Sequence, residues 1–164
     1  MAAPSDSRLF RNTLGQFCTG VVIVTGARGG EPAGFAAQSF TSLSLDPPLV
    51  AVCPARTSTS WPRVRDSGRY CINILGADQK AVCDVFAKSG IDKFASFGWR
   101  TGVSGSPIID GVLAYVDCEL EAEHDAGDHT IAVGRVLDVD IIDAARAPLL
   151  FFRGAYGHFE VGGV

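Results

Sequence analysis

The chain has 164 residues, 47% of them hydrophobic and 20% charged, with a mean hydropathy of +0.22. These values fit one globular domain over residues 1–164 whose apolar surplus points to an oligomer interface. A formal net charge of −4, with basic residues dispersed except at Arg63, Arg65 and Arg69, excludes a nucleic-acid face, because such affinity rests on many phosphate contacts. No apolar run approaches the roughly 18 residues of a membrane span, and "MAAPSDSRLF" lacks the segments of a signal peptide, so the expected location is cytoplasmic.

In chain order, Ser5, Asp6 or Ser7 caps a first helix that gathers Leu9, Phe10, Leu14, Phe17 and Cys18 on one face, and Gly20 stops it. "VVIVTG" (21–26), "ARGGEP" and "AGFAAQSF" (33–40) read as a hairpin. "LVAVCP" (49–54) is a continuous apolar strand; Pro47 and Pro48 before it cannot donate to a ladder and make its lead-in irregular. "SWPRVRDSG" (60–68) has room for about two helical turns, and "RYCINIL" (69–75) is a strand. "ADQKAVCDVFAKSG" (77–90) is a helix with Ala81, Val82, Val85 and Phe86 on one side.

Residues 90–110 read as an irregular connection whose aromatics Phe94, Phe97 and Trp99 must pack somewhere; long loops of this kind are often functional. "VLAYVDCELEAEH" (112–124) alternates, with Val116, Cys118, Leu120 and Ala122 facing inward and Asp117, Glu119, Glu121 and Glu123 outward. "HTIAVGRVLDVDII" (129–142) pairs with it across "DAGD", and "PLLFFRGAYGHFE" (148–160) supplies a last strand. Six or seven strands with short links and three helices predict a mainly β fold, a barrel with helical additions, since closing a sheet removes exposed edges.

Five widely spaced cysteines without a CxxC (Cys18, Cys53, Cys71, Cys83, Cys118) read as reduced thiols, mostly of the core. The glycines of "TGARGGEPAG" (25–34) are not a dinucleotide fingerprint, because a strand follows them where a helix is required. His124, Asp125, Asp128 and His129 share one tight turn from which side chains splay outward, so no metal is expected. No GxSxG and no Cys with an activating His is present, which argues against covalent hydrolysis. In "ARTSTSW" (55–61), Ser58, Thr59 and Ser60 precede a short helix. They suit N-capping or, with Arg56, a phosphate, and local sequence favours capping.

From about Phe10 to Phe159 the chain resembles the flavin reductase family, small homodimeric split barrels that serve as the reductase components of two-component flavin-dependent monooxygenases. The likeness is carried, in order, by "LGQFCTGVVIVT" (14–25), "GFAAQSFTSLSLDPPLVAVCP" (34–54), "SGRYCINIL" (67–75), "DKFA" (92–95), "GSPIIDG" (105–111), "GDHTIAVGRV" (127–136) and "PLLFFRGAY" (148–156). "SGRYCINIL", "DKFA", "GSPIIDG" and "AYVDC" (114–118) look most like reductases of actinobacterial aromatic-ring hydroxylases, secosteroid phenol hydroxylases among them; reductases of antibiotic-pathway hydroxylases are similar.

The resemblance implies an FMN-binding split β-barrel of Greek-key type. It implies NAD(P)H:flavin oxidoreductase activity on exchangeable FMN or FAD, with NADH or NADPH as donor and a separate oxygenase receiving the reduced flavin. A flavin-binding or electron-transfer protein that keeps its flavin is the alternative. By the same likeness Ala36, Gln38 and Ser39 line the flavin ring and ribityl, although many members read "TANSF" where this chain has "AAQSF" (36–40). Ser42 and Leu43 belong to the same wall, Cys53, Pro54 and Ala55 form a turn past the flavin edge, and Ser58 and Ser60 take the phosphate. His129 is implied near the nicotinamide, Tyr156 near the stacked rings, and Phe94 and Phe97 as a cover over adenine or flavin. The reaction then depends on holding two rings in contact and needs no obligatory acid or base.

Overall fold

The computed structural model describes residues 6–160. Helix α1 (Ser7–Leu14) starts at Asp6, whose Oδ1 accepts from the backbone N–H groups of Arg8 and Leu9, and a two-residue strand β1 (Thr19–Gly20) follows. Strands β2 (Val22–Arg28) and β3 (Glu31–Ala37) turn at Gly29 and Gly30, whose φ angles of 60° and 85° suit residues without a Cβ. Strand β4 (Thr41–Leu45) returns through the cis Asp46–Pro47 bond into β5 (Pro48–Val52). Helix α2 (Trp61–Arg65), strand β6 (Arg69–Ile74) and helix α3 (Lys80–Phe86) come next.

A short hairpin, β7 (Trp99–Thr101) and β8 (Pro107–Ile109), precedes the long pair β9 (Ala114–Ala126) and β10 (His129–Ile141). The chain closes with β11 (Leu149–Phe152) and β12 (Ala155–His158). Seven strands make one antiparallel sheet in the order β3-β2-β6-β9-β10-β5-β4, and β1, β11 and β12 make a second, three-stranded one. The larger sheet stops at β3 and β4 instead of closing on itself, so the fold is a split barrel with two edges.

Strands β2 and β6 are buried on both faces, because alternate side chains feed two separate cores. Ile23 and Cys71 enter one with Leu75, Val82, Phe86 and Ile109; Val22, Val24, Tyr70 and Ile72 enter the other with Val52, Trp61, Val64 and Cys118. That two-sided burial explains why "VVIVTG" and "RYCINIL" read as unbroken apolar runs. Asn73 is satisfied internally, whereas the Tyr70 hydroxyl, buried on the same strand, has no hydrogen-bond partner among the described residues. Asn73 Nδ2 donates to Ile23 O and Thr25 Oγ1 at 3.2 and 3.0 Å, and its Oδ1 accepts from Ile109 N at 2.8 Å, which fastens β8 to the barrel.

Several expectations are corrected. Residues 90–110 are not wholly irregular, since they contain the β7–β8 hairpin. Asp117 is fully buried although alternation placed it outside: its carboxylate accepts from Ser104 N at 2.7 Å and Ser104 Oγ at 2.5 Å beneath that hairpin. The final segment is two strands turned at Arg153 and Gly154, not one. Strand β4 was not foreseen, α2 is only five residues long, and Ala81 on α3 is exposed where Cys83 is buried. The apolar face of α1 exists, but none of the described residues covers it: Leu9, Phe10, Leu14 and Phe17 are exposed, as is Cys18. Cys71, Cys83 and Cys118 are buried thiols and Cys53 is half-buried.

Burial raises the Asp117 carboxyl above its ordinary value of 3.8, and the Ser104 hydrogen bonds only partly offset this. A carboxyl whose folded pKa exceeds its unfolded one favours the fold when protonated, so its contribution falls as pH rises from the unfolded value through the folded one. Asp117→Asn cannot ionise. Urea unfolding at acid and neutral pH is expected to show the variant gaining stability relative to the parent as pH increases.

Candidate functional site

A groove of about 530 Å³ opens where the end of β3, the turn after β5 and α3 meet. One side chain holds its two walls together: Ser39 Oγ accepts from Cys53 N at 2.9 Å and donates to Cys53 O at 3.3 Å. The backbone from Ala36 to Ser39 therefore faces the backbone from Cys53 to Ala55. Beyond that turn, Thr130 N donates to Pro54 O at 3.0 Å and Arg56 N to Asp128 O at 2.9 Å, and Ala55 bridges to His129. These bonds carry the β9–β10 turn to the groove's rim.

His129 Nδ1 lies 2.7 Å from Asp128 Oδ1, and the His129 hydrogen bond holds the Asp128 carboxyl below the usual range. In the neutral ring that contact puts the proton on Nδ1 and makes Nε2 an acceptor. Tyr156 Oη meets Cys83 Sγ at 3.3 Å, and its ring packs edge-on against Phe151 with centroids 5.1 Å apart. The Cys83 contact, then burial, pushes the Tyr156 hydroxyl up to about 12, and burial raises the Cys83 thiol as well. Neither is a ready acid or nucleophile at neutral pH. The groove is equipped to position a ligand, not to attack one.

Its other end is lined by the hydroxyls of Thr57, Ser58, Thr59 and Ser60. Ser58 Oγ accepts from Trp61 N, the first N–H of α2, at 3.1 Å, while Ser60 at the N-cap position makes no side-chain cap bond. Ser60 Oγ accepts instead from Lys93 Nζ at 3.2 Å, and the same ammonium donates to Gly34 O at 2.9 Å and Phe86 O at 3.0 Å. Among the described residues Lys93 has no carboxylate in salt-bridge range. Desolvation, then the Arg63 guanidinium, lowers its pKa. A half-buried ammonium held only by neutral oxygens is short of a counter-anion. The five-residue α2 offers little dipole, so anion binding here falls to the hydroxyls and Lys93.

Ten of the residues predicted from sequence line this groove: Ala36, Gln38, Ser39, Cys53, Pro54, Ala55, Ser58, Ser60, His129 and Tyr156. Ser42 and Leu43 do not. They lie exposed on β4, which leaves the groove after Ser39 and pairs only with β5 along the sheet edge. Phe94 lines a neighbouring cavity and packs edge-on against Phe86 at 5.1 Å, while Phe97 packs against the core and lines neither. Lys93 escaped residue-level reading; its one signal was its place in "DKFA". Thr57 and the apolar wall of Val21, Phe35 and Phe86 were also missed.

The flavin reductase like domain profile matches residues 14–160. The chain belongs to the flavin reductase family. It is 50% identical to the reductase subunit HsaB of a flavin-dependent monooxygenase from Rhodococcus jostii, over 94% of this chain and 79% of that protein. A solved structure of nitrilotriacetate monooxygenase component B from Mycobacterium thermoresistibile matches with a TM-score of 0.91 at 49% identity, covering 94% of this chain and 87% of that one. The Streptomyces globisporus NADH:FAD oxidoreductase SgcE6, solved with NAD and FAD fragments, matches with a TM-score of 0.91 at 34% identity, covering 98% and 97%. The groove of this family member fits a flavin phosphate: four hydroxyls and an ammonium without a carboxylate line one end of it.

Because Ser58 Oγ is committed to Trp61 N, Ser58→Ala is expected to lower stability by about 1 kcal/mol. Thermal unfolding checks this, and Ser60→Ala, which removes no backbone cap, should change stability less.

Proposed function

We propose that this chain is an NAD(P)H:flavin oxidoreductase that reduces exchangeable FMN or FAD and passes the reduced flavin to a separate oxygenase acting on an aromatic, phenolic or antibiotic-pathway substrate. The carrying observation is the single groove in which Ser58, Ser60 and Lys93 stand with His129 and Tyr156, without any activated nucleophile. A bound flavin supplies the two-electron acceptor and a reduced nicotinamide the donor.

The protein's own part is placement. Ser60 and Lys93 hold the phosphate, the first through its hydroxyl and the second by direct charge. The backbone of Ala36 to Ser39 and Cys53 to Ala55 holds the flavin ring and ribityl between two walls tied together by the Ser39 hydroxyl. His129 Nε2 accepts from the nicotinamide amide, with its ring fixed by Asp128. The Tyr156 ring would narrow the groove around a bound flavin, and holding donor and acceptor in one orientation there would lower the barrier. Shallow, open walls suit a flavin that leaves after each turnover.

The working form is a homodimer in the cytoplasm. Support comes from the uncovered apolar side chains of α1 and the edge residues Leu43 and Leu45, which are 51% and 90% exposed. Sedimentation should give twice the chain mass of 17.3 kDa, and Phe10→Asp with Leu14→Asp should shift it to monomer.

Nicotinamide absorbance followed with added FMN, FAD or riboflavin tests the activity. Acceleration is expected with at least one flavin, and none with any would overturn the reading. A flavin that survives gel filtration would mark an electron-transfer protein instead. His129→Ala should raise KM for the nicotinamide donor about tenfold, the loss of one good hydrogen bond, with the flavin Kd unchanged.

A further inference from the structure

Arg56 is the cation that the sequence offers to a phosphate beside Ser58 and Ser60, and the structure sends it elsewhere. Ala55 and Thr57 line the groove, but Arg56 between them does not. Its Nε donates to Gly127 O at 2.9 Å, and a terminal guanidinium nitrogen reaches Asp125 Oδ1 at 2.5 Å, across the β9–β10 turn. Its backbone N–H donates to Asp128 O at 2.9 Å. One residue therefore grips both peptide units that flank Asp128, the first through its side chain and the second through its main chain.

Asp128 is the residue whose carboxylate meets His129 Nδ1 at 2.7 Å. Its side chain is 94% exposed and that of His129 45% exposed, so packing does little to fix the pair. A hydrogen bond between two such side chains must offset the entropy of ordering both, and a backbone already held in place reduces that cost. The Arg56–Asp125 ion pair is screened, with side chains 48% and 87% exposed, and contributes little as a charge. The directed bond from Nε to the Gly127 carbonyl is what sets the turn.

We propose that Arg56 is a positioning residue for the nicotinamide donor: it fixes the Gly127–Asp128 peptide and with it the Asp128 carboxylate, which keeps the His129 proton on Nδ1 and leaves Nε2 to accept from the donor's amide. The inference rests on the flavin-reductase reading and deepens it. Arg56 itself touches neither cofactor. Its grip joins the two halves of the site, because the same turn runs past the flavin at Cys53 to Ala55 and continues to Ser58, whose N–H donates to Ala55 O at 3.0 Å. A flavin seated on that turn meets a histidine already aimed. Lysine at this position would keep the charge without the planar fork whose Nε meets a carbonyl while a second nitrogen meets a carboxylate.

Steady-state NADH oxidation at saturating flavin gives KM and kcat, and quenching of flavin fluorescence gives the flavin Kd without turnover. Arg56→Ala should raise KM for NADH about fivefold, the loss of one hydrogen bond, with kcat and flavin Kd unchanged. Arg56→Lys should not restore the parent value, whereas Asp125→Asn, which leaves the Nε bond in place, should match the parent. In a His129→Ala background Arg56→Ala should add nothing, since a residue acting through the imidazole has nothing left to place. An unchanged KM, additive effects in the double variant, full rescue by lysine or a weakened flavin each overturns the inference. Imidazole nitrogen shifts measured by NMR without either cofactor read the tautomer directly. The parent should carry the proton on Nδ1 and Arg56→Ala should lose that preference; identical shifts overturn the clamp. A parent that oxidises NADH with no flavin fails the flavin-reductase reading instead, and the tautomer measurement keeps the two failures apart. Thermal unfolding confirms that each variant is folded.

Discussion

The two-sided burial of β2 and β6 is the constraint from which the rest of the molecule follows. A strand buried on both faces needs a cover on each, and one cover here is the barrel interior with Trp61 and Val64 of α2. The other is α3 with β8, packed on Ile23, Cys71 and Leu75. A polar group trapped between these layers needs a partner inside the protein, because an unsatisfied one costs roughly 1–3 kcal/mol, a cost that the unpartnered Tyr70 hydroxyl bears. Asn73 and Asp117 meet that requirement by binding the β7–β8 segment, and in doing so they turn a long connection into a fixed lid over one core.

The groove forms where that layered packing ends. Past Ala37 the chain no longer pairs with β2, and the Ser39 hydroxyl substitutes for the lost ladder by tying itself to both backbone groups of Cys53. Lys93 arrives from the connection after α3 and binds carbonyls of β3 and α3. The site is thus assembled from segments that are far apart in sequence but each anchored on rigid structure, the arrangement that holding two flat cofactors in contact demands. Its polar groups orient and bind; its half-buried tyrosine and buried thiol are held in forms that do not exchange protons near neutrality. The chemistry belongs to the bound groups, and the protein contributes their geometry.

Much of the fold was legible because local pattern and tertiary demand agreed. Residues 21–26, 69–75 and 129–142 form strands where their apolar runs and alternation placed them, and most of the site lay in blocks such as "AAQSF", "CPA" and "GDH". Legibility failed where a neighbour changed the meaning of a pattern. Asp117 obeys period two, yet the β7–β8 hairpin covers the face to which it points. Leu43 sits in a block resembling a flavin wall, but the edge strand carries it away from the groove. Lys93 looks like an ordinary surface lysine until its three oxygen partners are brought together.

By itself the sequence determined the strand-rich architecture, the hairpin turn at Gly29 and Gly30, the absence of a Rossmann fingerprint and ten of the residues lining the groove. These depend on periodicity, turn chemistry and motif order, which are local properties. Only the tertiary structure decided which hydroxyl caps and which meets the ammonium, which carboxylate is buried, and that Arg56 grips the β9–β10 turn instead of lining the groove. Those outcomes turn on distances between segments dozens of residues apart. Burial and pairing energies there depend on which groups meet, and no local pattern states that.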